Sequence, residues 1–159
     1  MLLALAVIPA ISGCTSLKPV YSEQLAAVPA PVVLAYGKPA GRLEQIVQQE
    51  LALHFAESNA PTVPMASISV QTSGGSPFLT RTTGPSTFSK AGVTATITIT
   101  PRDGLSTTPF RITRSAEAGY TTSGQVLADR AAANEAMERA ARAAAESLRL
   151  ALLGALAGG

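Results

Sequence analysis

The stretch that decides the fold is GVTATITIT, Gly92 to Thr100. Val93, Ala95, Ile97 and Ile99 alternate with Thr94, Thr96, Thr98 and Thr100. A period of two places all four apolar side chains on one face of a strand and all four threonines on the other. Threonine is β-branched and favours extended backbone, so propensity and pattern agree. One face must therefore meet a core while the other stays polar, the signature of a sheet covered on a single side.

Working outward, Ala66, Ile68 and Val70 alternate with Ser67, Ser69 and Gln71 and predict a second half-buried strand. Residues 73–89, rich in Gly, Pro, Ser and Thr, read either as a loop or, around Phe78 to Thr82, as an irregular strand extension. Pro101-Arg102-Asp103-Gly104 is turn chemistry. Beyond it, Phe110, Ile112, Ala116, Ala118 and Tyr120 share one parity, and Arg111, Thr113, Ser115 and Glu117 the other. Arg114 breaks the apolar parity, which marks either a bulge or an edge where its head reaches water. Val32 to Tyr36 predicts a short first strand, punctuated by Gly37, Pro39 and Gly41.

Two segments carry helical spacing. Over Arg42 to Glu57, Leu43, Ile46, Val47, Leu51 and Phe55 form one stripe. His54, the only histidine, sits beside that stripe near the helix end, where it suits the terminal carbonyls. From Gln125 to about Leu156 one long alanine-rich helix is expected. Its expected inner face is Leu127, Ala131, Asn134, Met137, Ala141, Ala144, Leu148 and Leu152, widened by Ala145 and Leu156. Small alanines let such a helix approach a sheet closely. Its last turns, LRLALLGALAGG, are apolar all round. Glu135 and Arg139, and Glu138 and Arg142, stand four apart in the favourable order. The expected architecture is α+β, a two-layer sandwich with two helices on one face of a small, mostly antiparallel four-stranded sheet.

The chain has 159 residues, 47% of them apolar and only 14% charged, with a net charge of +2. That is enough for one core and too little charge to argue for nucleic acid. The single cysteine excludes an internal disulfide and a cysteine-based zinc site. Catalysis needs a base held beside a nucleophile. The lone histidine has no orienting carboxylate in its pattern, and no metal-ligand spacing or phosphate loop is present, so no enzymatic role and no cofactor are expected. The positive charge concentrates in residues 61–120, where Arg81, Lys90, Arg102, Arg111 and Arg114 outnumber Asp103 and Glu117. Arginine on a sheet edge suits phosphate bidentately, whereas the plain alternative is a solvated face.

At the N-terminus Leu2 to Ile11 is an uncharged apolar run, well below the roughly 20 residues that span a bilayer. It reads as the core of a secretory signal. Ile11-Ser12-Gly13-Cys14 resembles the lipobox of bacterial lipoproteins, in which Cys14 becomes the first residue and carries the acyl chains. The organisation expected is a signal peptide over 1–13, an acylated Cys14 with an extended tether over 14–31, one α+β domain over 32–156 and a tail over 157–159. Thr15 after the cysteine, with no Asp there, fits the outer membrane.

With these stretches in order, the chain resembles the lipopolysaccharide-assembly lipoprotein family (LptE). Cys14 to Tyr21, CTSLKPVY, is similar to the family's start. Gly41 to Phe55, GRLEQIVQQELALHF, is similar to its first helix. Tyr120 followed by Leu127 to Leu152 is similar to its last helix. Ser22 stands where the family has a Gly, and Thr15-Ser16 replaces a more usual Gly-aromatic pair. The resemblance implies a lipid-anchored protein on the periplasmic side of the outer membrane. It implies a plug in, and an assembly aid for, an LptD-like β-barrel that inserts lipopolysaccharide into the outer leaflet. Arg81, Lys90, Arg102, Arg111 and Arg114 are then the expected lipopolysaccharide contacts. The competing readings are an auxiliary lipoprotein of a phospholipid-trafficking ABC transport system and an envelope lipoprotein that binds a soluble ligand.

Overall fold

The computed structural model describes residues 32–74, 87–102, 104 and 108–157. The expected signal, Cys14 and the tether lie outside the described residues, as does Arg81.

The elements run β1 (Val33–Tyr36), α1 (Arg42–Ala52), β2 (Ala56–Glu57), β3 (Met65–Gly74), β4 (Thr87–Thr100), β5 (Phe110–Thr122) and α2 (Val126–Ala157). The sheet has five strands in the order β2-β1-β3-β4-β5, one more than the four expected. β1 pairs in parallel with both β2 and β3, and β3-β4-β5 is an antiparallel meander. The class is the expected α+β. The extra strand is two residues that the periodicity had placed in the first helix. α1 stops at Ala52, not Glu57: Leu53 caps it, and the Phe55 amide donates to the Leu51 carbonyl at 2.9 Å. The chain then turns so that Phe55 is buried and Ala56-Glu57 pairs with Val33-Leu34. The turn is tolerated because the Leu53, His54 and Phe55 amides satisfy carbonyls that the helix end would orphan, while the Phe55 ring is buried.

The meander has an unbroken register. Met65 to Gly74 pairs residue by residue with Thr100 to Ala91, and Thr87 to Ile99 with Thr122 to Phe110. Arg114 therefore marks no bulge. It lies opposite Ala95 on the outer strand, with its head in water and Nη1 donating to the Thr113 carbonyl at 2.9 Å.

The core lies between one face of this sheet and both helices. Leu34, Ala66, Val93, Ala95, Ile97 and Ile112 supply the sheet side, Ile46, Val47 and Leu51 the α1 side, and Ala140, Ala141, Ala144, Ala145, Leu148 and Leu152 the α2 side. Full burial of Leu148 or Leu152 contributes about 1.5–3 kcal/mol each. Ala133, Ala136 and Ala140 continue the buried side toward the start of α2, whereas Leu127, Ala131 and Asn134 are exposed. The expected inner face thus holds from Ala141 to Leu152, Met137 is half-buried, and the expected positions before it face outward. Alanine on every side of the helix carries no phase information; contact with β4 and β5 sets it.

Two devices fix α2 to the sheet. The Asp129 carboxylate accepts the Ser123 and Gly124 amides at 2.7 and 3.0 Å, holding the turn out of β5. Gly124 has φ +81, a left-handed conformation that costs glycine little. Further along, Arg139 bridges Glu135 at 2.7 Å and donates to the Gly119 carbonyl at 2.8 Å.

Candidate interaction surface

Both helices occupy one side of the sheet, so the other side is covered by none of the described elements. Register defines what it presents. Across β3, β4 and β5 the rows are Ser67-Thr98-Arg111, Ser69-Thr96-Thr113, Gln71-Thr94-Ser115 and Ser73-Gly92-Glu117. The face is hydroxyl-rich and sparsely charged. Thr94 Oγ1 and Ser115 Oγ share a hydrogen bond of 2.9 Å, as do Thr96 and Thr113. These cross-strand pairs leave spare lone pairs directed outward, since each hydroxyl accepts twice. At one end the exposed Lys90 and Glu117 sit 3.4 Å apart, a solvated pair that contributes little to stability. Beside them the Phe88 ring lies over Gly119, and a side chain there would collide with it. This is aromatic cover of a sheet glycine, and it explains why an exposed phenylalanine is held in place.

The four described cations of the expected set do not converge. Lys90 and Arg111 share the open face, but Thr98, opposite Arg111, stands eight residues along β4 from Lys90, roughly 27 Å at strand rise. Arg102 follows the far end of β4 and lies against Met65 Sδ. Arg114 belongs to the opposite, helix-side face. A single phosphate cluster is not what the fold builds from them; it spreads them along the meander. Alternation within β5 already separates Arg111 from Arg114 in the sequence, whereas the distance from Lys90 required the register.

On the helix side, Tyr36 is half-buried against the core, and burial, aided by the Glu57 charge, pushes its hydroxyl up to about 12. It stays neutral at physiological pH. The guanidinium of Arg42, 2.6 Å away, holds the Glu138 carboxyl below its ordinary value, and Arg149 does the same for Glu146. These pairs tie α1 to α2 and brace α2 itself; they form no reactive centre. His54 is exposed just after α1.

A one-sided sheet of this topology under two helices has solved counterparts. Three lipoproteins share the fold. A protein from Caulobacter crescentus CB15 assigned as a lipoprotein is 20% identical, with a TM-score of 0.56 over 79% of this chain and 90% of that one. A minor lipoprotein from Acinetobacter baumannii is 16% identical, with a TM-score of 0.55 over 76% and 89%. The rare lipoprotein B from Shewanella oneidensis is 16% identical, with a TM-score of 0.51 over 81% and 98%. At such identities the likeness is one of fold. No family model and no curated protein matches the sequence.

Proposed function

We propose that this protein is an outer-membrane lipoprotein, anchored on the periplasmic side through acylated Cys14. In this reading it plugs the β-barrel translocon that inserts lipopolysaccharide into the outer leaflet, assists that barrel's assembly and contacts lipopolysaccharide without catalysing a reaction. The observation that carries the reading is the uncovered sheet face. A protein seated in a barrel lumen meets polar side chains and loses water. Each polar group it buries must regain a hydrogen bond or cost about 1–3 kcal/mol. Rows of Ser, Thr and Gln supply donors and acceptors at most positions and leave few charges to desolvate. The lipobox-like ISGC and the lipoprotein fold neighbours agree with an anchored protein. The cations spread along the meander suit serial rather than single-site contact with a phosphorylated glycolipid.

The test is co-purification of the full-length protein from outer membranes in mild detergent. A large β-barrel protein is expected to accompany the wild type. It is expected to be lost from Thr96→Trp/Thr113→Trp, which places bulk on the open face and leaves the buried core untouched. Absence of a barrel partner, with surface lipopolysaccharide unchanged on depletion, refutes the reading. Palmitate labelling that survives Cys14→Ser refutes the anchor.

A further inference from the structure

The last turns of α2 bury Leu148 and Leu152 in the core, but their outward leucines have no role in the fold. α2 continues to Ala157, with Leu150 57% and Leu153 40% exposed on its outer side. Where this end of the helix lies follows from topology. α2 turns back directly after β5, and its 32 residues span about 48 Å, against about 44 Å for the 13 residues of β5. Its C-terminus therefore returns to the level of Phe110, the start of β5. The ion pair of Arg142 with Glu50, 3.7 Å, independently places the later part of α2 beside the end of α1.

The same end collects other features. Leu53, 76% exposed, follows α1, and Phe110 is partly exposed. Arg102 and Arg111 lie at the end of β4 and the start of β5, each without an ion-pair partner among the described residues. Parallel pairing of β1 with β3 puts the start of β1 here as well, since Ala35 pairs with Met65 and Met65 with Thr100. This is where the chain arrives from Cys14, after 17 intervening residues, 15–31.

We infer that this end of the domain, carrying Leu53, Phe110, Leu150 and Leu153 with Arg102 and Arg111, rests on the lipid surface into which the acyl chains of Cys14 insert. The occupant is lipid rather than a protein groove because the anchor, when acylated, holds this end near the leaflet at high effective concentration. An apolar helix end flanked by arginines also matches an interface of acyl chains beneath anionic headgroups. The apolar residues at the other end have a different setting. Phe88 covers Gly119, and Val126 and Leu127 begin α2, about 35 Å along the helix from Leu150. The inference rests on Cys14 being lipidated but not on any barrel.

The chain contains no tryptophan, so single reporters are unambiguous. The mature lipidated protein carrying Leu150→Trp, Leu153→Trp or Leu127→Trp is mixed with phosphatidylethanolamine–phosphatidylglycerol vesicles containing brominated acyl chains. Flotation reports anchoring, and quenching reports docking. Flotation of all three, with blue-shifted and quenched emission at positions 150 and 153 and unquenched emission at 127, supports the inference. Arg102→Glu/Arg111→Glu in the Leu150→Trp background is expected to reduce the quenching while helicity is kept. Flotation with equal emission at 127 and 150 overturns the docking and leaves the anchor standing. Failure to float overturns the anchor, and the docking with it.

Discussion

Replacing Ala136 by leucine tests where α2 seats on the sheet. Ala136 is fully buried on the inner side of the helix, whereas Ala131, which helical spacing alone had placed inside, is exposed. Leucine is as good a helix former as the position requires, so helix propensity changes little. What changes is volume. Three extra carbons must enter a contact with no free space, and overpacking of this kind costs about 1–3 kcal/mol. For a domain of roughly 130 residues, an unfolding entropy near 2.1 cal/mol/K per residue converts this to a Tm loss of about 4–11 °C. Ala131→Leu faces solvent and is expected to stay within about 0.5 kcal/mol of wild type. Thermal unfolding followed by circular dichroism at 222 nm separates the two. Equal melting of both variants, or greater loss from Ala131→Leu, refutes the seating of α2 described above.

Other expectations follow from the same contacts. Leu148→Ala, at a fully buried site among α1, α2 and the sheet, should cost about 2–5 kcal/mol in urea unfolding, because the surrounding alanines cannot move in to fill the cavity. Asp129→Ala should cost about 1–3 kcal/mol by releasing the Ser123 and Gly124 amides, with faster amide exchange confined to the β5–α2 turn. Phe88→Ala should lose about 0.2–1 kcal/mol despite the side chain being 68% exposed, since it uncovers Gly119. Acid should weaken the link between the helices. The folded Glu138 carboxyl titrates below its ordinary value of 4.5 because of Arg42, so its contribution is complete above that pH and is lost as pH falls through the depressed value. Glu138→Gln should therefore show a smaller drop in Tm between pH 7 and pH 3 than wild type.

By itself the sequence determined the strands and helices whose side chains differ from face to face. Val-Thr-Ala-Thr-Ile-Thr-Ile-Thr can satisfy a core on only one side, so β4, its partner faces and the one-sided sheet were legible, as was the stripe from Leu43 to Leu51. Arg114 was legible as an exception but not as an edge, because a bulge and an edge give the same break in parity. Tertiary structure alone decided three matters. It selected the buried side of early α2, where alanine surrounds the helix and only contact with β4 and β5 distinguishes one face. It ended α1 at Ala52, because burying Phe55 and pairing Ala56-Glu57 with β1 outweighs five more residues of helix. It also set Lys90 far from Arg111 along the meander. Cations close in sequence become neighbours only if strand register brings them together, and register is set by the apolar face they do not share.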